Sequence, residues 1–205
     1  MRFEKEAENI YRLRVPFEDL YTSVFLVESD GGYALVDSAT TAADVDQVIR
    51  PALLARGLDF SDIKYLILTH RHGDHAGGSA RISEHNPSIA VICGEKHLPL
   101  SDFAPYALPG HTLDMIGVLD LRSGTLISGD GLQGAGVGKY RCSLESAAEY
   151  FATIEKIRGD ARVKNLLFSH AYEPWYKDGA FGRDAVMQCL ADCERYVKIK
   201  NGESK

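Results

Sequence analysis

Thr69-His70-Arg71-His72-Gly73-Asp74-His75-Ala76-Gly77-Gly78 places four potential metal ligands, His70, His72, Asp74 and His75, within six residues. An apolar stretch over 64–68 that reads as a buried strand precedes the run, and a glycine-led helix over 77–84 follows it. Only a tight loop between strand and helix could aim all four side chains at one place. His70 and His72, two apart, can turn toward one ion, while Asp74 and His75 come from the far side of the turn. Imidazole and carboxylate are ligands for zinc and other first-row metals. Gly73, Gly77 and Gly78 let the backbone turn and pack closely. A single histidine in a polar loop would read as an exposed side chain. A His-x-His-x-Asp-His series reads as a metal-binding loop.

Three more donors stand outward from this run, each behind an apolar or strand-like segment. They are His111 in Pro109-Gly110-His111-Thr112, Asp130 in Leu126-Ile127-Ser128-Gly129-Asp130, and His170 in Leu166-Leu167-Phe168-Ser169-His170. Strand ends deliver side chains to a common edge, so three strands could converge on the quartet. Five of the seven histidines are thereby used. His85 and His97 lack such a context and read as local hydrogen-bonding or surface residues.

With 205 residues, 45% hydrophobic and 25% charged, the chain reads as one continuous domain over 1–205 with a sizeable core. No repeat, low-complexity stretch or Gly/Ser linker divides it. The net charge of −6 argues against a nucleic-acid partner held by a broad basic face. The opening MRFEKEAENIYRLRV mixes charges and has no apolar core segment, and no run of about 18 apolar residues could span a membrane. The expectation is a cytoplasmic protein that binds a small-molecule substrate, with no nucleic-acid or membrane partner and an oligomeric state left open. Cys93, Cys142, Cys189 and Cys193 form no Cys-x-x-Cys pair and are expected as thiols. Cys189 and Cys193, four apart beside Val186, Leu190 and Val197, fall on the apolar stripe of a terminal helix.

The remaining pattern alternates strands and helices. Strands are expected over 10–15, 23–28, 33–37, 115–121, 125–128 and 164–168, with turns at Asp30-Gly31-Gly32 and Ser123-Gly124. Thr41 and Asp44 suggest a capping box opening a helix with Val45, Val48 and Ile49 inward. Pro51 is expected to interrupt or kink that helix and Gly57 to end it. Ser143 is expected to cap a helix carrying Leu144, Ala147, Phe151, Ile154 and Ile157, and a last helix spans 181–200.

With the donor series running in order from His70 to His170, the chain resembles the metallo-β-lactamase superfamily over nearly its whole length. Leu35-Val36-Asp37-Ser38 also resembles that family's strand ending in an aspartate beside the site. The resemblance implies an α/β chain folded as a four-layer αββα sandwich with the site along one edge of two sheets. It implies two divalent metal ions, zinc foremost, with iron or manganese as other candidates. His70, His72 and His111 would hold the first ion and Asp74, His75 and His170 the second, with Asp130 bridging. Asp37 would orient a ligand, although a strand-ending turn residue reads equally well. The implied enzyme is a binuclear hydrolase. Two ions about 3.5–4 Å apart lower the pKa of a shared water, which attacks a substrate carbonyl. Asp74 would be the catalytic residue that holds this water in line.

The segment from Gly129 to Lys139 is similar to the loop of glyoxalase II that follows the bridging aspartate, where a Gly-Cys-Gly-Arg run precedes a helix. Here Gln133, Val137 and Lys139 stand at its apolar, cysteine and arginine positions. Lys139, Tyr140 and Arg141 form a small cationic patch that could receive a substrate carboxylate, or could simply be solvated. The stretch 98–109 carries three prolines where the family has a long hairpin. No long helical extension, the element that supplies much of the glutathione contact in larger glyoxalase II enzymes, is expected. The expected reaction is therefore hydrolysis of a small ester, thioester or lactone. The alternatives are a one-iron oxidoreductase like the persulfide dioxygenases, a β-lactam hydrolase, and a binding module without catalysis.

Overall fold

A computed structural model describes residues 1–94, 97–134, 143–171 and 177–200, and the chain divides into two compact units, Met1–Ala104 and Pro105–Lys205. In the first unit, β1 (Glu4–Ala7), β2 (Ile10–Phe17), β3 (Leu20–Ser29), β4 (Gly32–Val36), β5 (Ile63–Leu68) and β6 (Ala90–Cys93) form one sheet in that order. β1 to β4 run antiparallel, joined by short turns, and Ser29 pairs with Gly32 around the expected Asp30-Gly31 turn. β5 and β6 are then added in parallel, which requires helical crossovers. Leu13, Val15, Val24, Leu26 and Leu35 share a core with Val45, Ile49, Leu53, Phe60 and Ile82 from those crossovers.

The first crossover opens with the expected capping box. Asp44 donates its N–H to Thr41 Oγ1 at 3.1 Å, and Thr41 N–H returns a bond to the Asp44 carboxylate at 2.8 Å. Pro51 does not interrupt the helix. α1 (Ala42–Asp44) passes through a π-helical turn, Val45–Ile49, into α2 (Arg50–Leu54), whose first turn holds Pro51. A proline ring lacks an N–H and crowds the carbonyl one turn back. The wider turn, in which Arg50 N–H bonds to Val45 O, accommodates that ring without ending the helix. Gly57, at φ +76°, closes it with paired bonds from Gly57 N–H to Leu54 O and from Leu58 N–H to Leu53 O. The second crossover holds two helices where one is expected, α3 (Gly73–Ala76) and α4 (Ser79–His85).

In the second unit, β7 (Phe103–Ala107), β8 (Ile116–Asp120), β9 (Thr125–Gly129), β10 (Asn165–Phe168) and β11 (Gly179–Phe181) form a sheet ordered β11-β10-β9-β8-β7. β9 and β10 are parallel and their neighbours β8 and β11 antiparallel. α5 (Ala147–Gly159) and α6 (Arg183–Lys200) cover this sheet, and Tyr150, Ile154, Ile157, Val186, Leu190 and Cys193 pack with Leu119, Leu126, Leu166 and Phe168. β7 was not expected from the sequence, because Pro105 lies inside it. As the edge strand of its sheet it tolerates a residue without an N–H.

Two helix starts differ from expectation. The cap of α5 is Ser146, whose hydroxyl accepts from Glu149 N–H at 3.2 Å, and not Ser143. α6 begins at Arg183, because Phe181 pairs with Asn165 in β11 and Gly182 turns the chain at φ +85°. Arg183 then reaches back to the end of α5, donating to the carbonyls of Ile157, Arg158, Asp160 and Val163. Among the described residues, no helix is long and apolar enough to cross a membrane.

Candidate metal centre

The described histidines and carboxylates with a place in groups able to hold a metal ion are His70, His72, Asp74 and His75 in the first unit and His111, Asp130 and His170 in the second. In the first unit the topology explains how they arrive. β4 and β5 are adjacent and parallel, so Asp37 and Thr69 emerge together at their carboxyl ends. Asp37 N–H bonds to Ile67 O at 2.8 Å, and the Asp37 carboxylate accepts from Thr69 N–H at 2.8 Å and from Thr69 Oγ1. Asp37 is a buried non-glycine residue at φ +64°, a conformation that costs energy and that these bonds hold in place.

The same carboxylate orients a ring. His75 Nδ1 lies 2.8 Å from Asp37 Oδ2, which aims Nε2 the other way, toward Asp74 Oδ2 at 3.4 Å. Asp37 thus has both features expected of it, ending β4 in a turn conformation and contacting a neighbouring ring. The backbone under these donors is held too. Ser38 N–H and Oγ both donate to His75 O, at 2.7 and 2.9 Å, and Thr22 Oγ1 donates to Asp74 O at 3.0 Å. A Cβ at Gly78 would stand 2.1 Å from Ser38 O, so only glycine allows the ligand run to lie against the end of β4.

His70 Nε2 and His72 Nδ1 are 3.0 Å apart. Nitrogens on one tetrahedral zinc, each bonded at about 2.0–2.1 Å, stand about 3.3 Å apart. The spacing of this pair, and of the Asp74–His75 pair, therefore suits donors converging on a cation.

The second unit repeats the topological device. Asp130 and His170 follow β9 and β10, again an adjacent parallel pair, and His170 Nε2 lies 3.2 Å from Asp130 Oδ1. His111 Nε2 lies 3.7 Å from Asp130 Oδ2, and His111 Nδ1 donates to Ser143 O at 2.6 Å. A ring nitrogen bonded to a carbonyl carries the proton, so the opposite nitrogen is the one offered to a metal.

His85 has the local role expected of it, stacked on Phe60 with ring centroids 5.1 Å apart and bonded to Asp46 at 2.7 Å; His97 is exposed. Lys139, Tyr140 and Arg141, the expected substrate patch, lie outside the described residues. The supporting groups Thr22, Ser38 and Ser143 were not anticipated. Their contacts span 52, 37 and 32 residues, and nothing local in the sequence marks them.

The chain is similar to known proteins. A family model described as the metallo-beta-lactamase superfamily matches residues 18–106. The chain is 26% identical over 166 residues to the lactamase-like protein adaB of Aspergillus niger, covering 71% of this chain and 51% of that protein. It is 30% identical over 159 residues to a hydroxyacylglutathione hydrolase of Bdellovibrio bacteriovorus, covering 69% and 60%. The chain thus spans about half to three-fifths of the length of these curated relatives. The structure of the metallo-beta-lactamase FIM-1 from Pseudomonas aeruginosa in its mono-zinc form superimposes with a TM-score of 0.72 at 17% identity, covering 95% of each chain. At that identity the likeness is one of fold: two sheets and their helices.

Proposed function

From the superfamily match over residues 18–106 and the shared fold, we propose that the chain is a metallo-β-lactamase superfamily member that hydrolyses a small ester, thioester or lactone with the help of two divalent metal ions. The observation that carries this reading is the buried Asp37–His75 contact beside Asp74. A carboxylate that fixes the tautomer and direction of an imidazole is the usual support of a metal-binding histidine. His70, His72 and His111 would hold one ion, Asp74, His75 and His170 the other, and Asp130 would serve both. A donor set of imidazole and carboxylate with no cysteine suits zinc, and also iron or manganese. When bound, such ions acidify water and polarise a carbonyl.

The protein's own side chains supply the rest. Asp74 accepts a hydrogen bond from the attacking water and sets its direction, since its backbone is pinned by Thr22 and its carboxylate is part-exposed. Asp37 and the Ser143 carbonyl keep His75 and His111 from turning. Lys139, Tyr140 and Arg141 would receive a carboxylate on the substrate, which is the only partner this reading requires. The Bdellovibrio relative is a hydroxyacylglutathione hydrolase, which makes a thioester the first substrate to try.

The test is a hydrolysis screen of zinc- and manganese-reconstituted protein over lactones, aryl esters, glutathione thioesters and β-lactams, with elemental analysis alongside. Nearly two ions per chain and turnover of an ester, thioester or lactone are expected. Two ions with turnover of none of these carbonyl compounds would overturn the hydrolase. A single iron per chain, with metal content unchanged in His170→Ala, would overturn the binuclear centre.

A further inference from the structure

The turn that carries His111 is buried at Gly110, His111 and Thr112 and opens to solvent just beyond the ring. Leu113, two residues on, is 60% exposed, and Gly110 sits at φ +145° with Tyr150 so close that a Cβ would stand 2.7 Å from the Tyr150 Cβ. What holds the turn is the segment ahead of α5. Glu145 N–H donates to Gly110 O at 2.9 Å and to His111 O at 3.2 Å, and Ser146 N–H donates to Gly110 O at 3.1 Å. Ser143 O accepts from the His111 ring at 2.6 Å. Each of these is a backbone group of the 143–146 segment. Glu145 also reaches the turn with its side chain, whose Oε2 accepts from Leu113 N–H at 2.7 Å.

Glu145 is thus bonded to the turn through its main chain on the near side of the His111 backbone and through its carboxylate on the far side. We propose that Glu145 is a positioning residue: its carboxylate locks the 110–113 turn onto the start of α5, so that His111 Nδ1 stays on the Ser143 carbonyl and Nε2 is presented to a metal. The contact acts through His111 and touches neither substrate nor ion. Without it, the turn would keep its main-chain bonds from 145–146 and the Leu108–Met115 pairing, but Leu113 would be released from the start of α5 and the ring would spend less time on the Ser143 carbonyl. The bond, and not the negative charge, is the working part, because an amide oxygen at the same place can accept from Leu113 N–H as well.

This inference rests on the metal-centre reading, and the experiment separates the two. Zinc affinity is measured by chelator competition for the wild type, Glu145→Ala and Glu145→Gln. The imidazole nitrogen shifts of His111 and the melting temperature are recorded on the same three proteins without metal. Glu145→Ala should bind one of its two zinc equivalents about tenfold more weakly, the lower end of what losing an outer partner of a ligand costs. Its metal-free His111 should lose the single Nδ1–H tautomer, while the melting temperature stays at the wild-type value. Glu145→Gln should restore both affinity and tautomer. Wild-type affinity and tautomer in Glu145→Ala would overturn the role. So would a Glu145→Gln protein as weak as Glu145→Ala, which would assign the effect to charge, or a weakening matched by a lower melting temperature, which would make Glu145 merely structural. Failure of the wild type to bind zinc would instead sink the metal centre, while the His111 shifts would still report on the clamp.

Discussion

His75 Nδ1 and Asp37 Oδ2 meet at 2.8 Å inside the first unit, both side chains fully buried and 38 residues apart in sequence. Asp37→Asn tests what that contact does. Asparagine accepts the left-handed backbone that Asp37 adopts at φ +64°, so the change is not one of backbone strain. The carboxylate, however, accepts on both oxygens, from Thr69 on one and from His75 and Thr69 on the other. An amide must turn its NH2 toward one of those donors. The variant should lose about 1–3 kcal/mol of stability and bind its second metal about 10–100-fold more weakly. Denaturant unfolding and a zinc titration check it; an unchanged second-site affinity would remove Asp37 from the centre.

Asp74→Asn should leave the first unit folded, since Thr22 holds the Asp74 carbonyl and not its side chain. The nucleophile would be poorly aimed, and kcat should fall about a hundredfold or more, on the order of 3 kcal/mol of barrier. Steady-state rates under saturating zinc or manganese keep occupancy apart from chemistry. A variant as fast as the wild type would place the measured activity elsewhere.

Gly78→Ala and Gly73→Ala form a matched pair. The added methyl meets Ser38 O at 2.1 Å and Val45 Cγ2 at 2.6 Å in the first case, and nothing within 4 Å in the second. Gly78→Ala should cost about 3 kcal/mol or more and pull Ser38 away from His75, while Gly73→Ala stays within about 0.5 kcal/mol of wild type. Melting curves with and without zinc decide, and equal stability of the two variants would contradict the packing described.

Acid titration reads a different contact. The Arg162 side chain, bonded to Asp160, holds the Asp160 carboxyl down at about 2, below its ordinary 3.8. A depressed carboxyl contributes stability that is complete above the unfolded pKa and is lost as pH falls from about 4 toward 2. Arg162 is 66% exposed, so screening leaves well under about 1 kcal/mol. Asp160→Asn should flatten that limb of the stability curve, and added salt should shrink the difference. A wild-type slope in Asp160→Asn would assign the acid loss to other groups.

The sequence displays the donors and hides what steadies them. His70, His72, Asp74 and His75 lie on one short loop, so their spacing alone marks them as candidate donors, and His111, Asp130 and His170 each follow an apolar segment. Thr22, Ser38 and Ser143 act through oxygens or backbone groups across more than thirty residues, where no periodicity points to them. Ser143 and Ser146 both precede an apolar helical pattern, and local chemistry favours neither as the cap. The choice falls to Ser146 because the Ser143 carbonyl is taken by His111. At Pro51 the helix is not interrupted, but it leaves the regular α pattern in the turn ahead of the ring. The proline's cost in a regular α-helix is real, but Val45 and Ile49 are buried against the sheet, and their packing retains the helix in a wider turn.

The two sulfurs of α6 make that helix its own reporter. Cys189 and Cys193 point their thiols at the Gln133 carbonyl, at 3.6 and 3.5 Å. The Cys193 contact, together with burial, pushes the Cys189 thiol well above its ordinary range. A thiol in that state is alkylated slowly while α6 stays packed, and faster when α6 lifts from the segment that follows Asp130. Pulse alkylation, read site by site in a mass spectrometer, therefore follows changes in how α6 sits on the loop carrying Asp130, with no metal or substrate added.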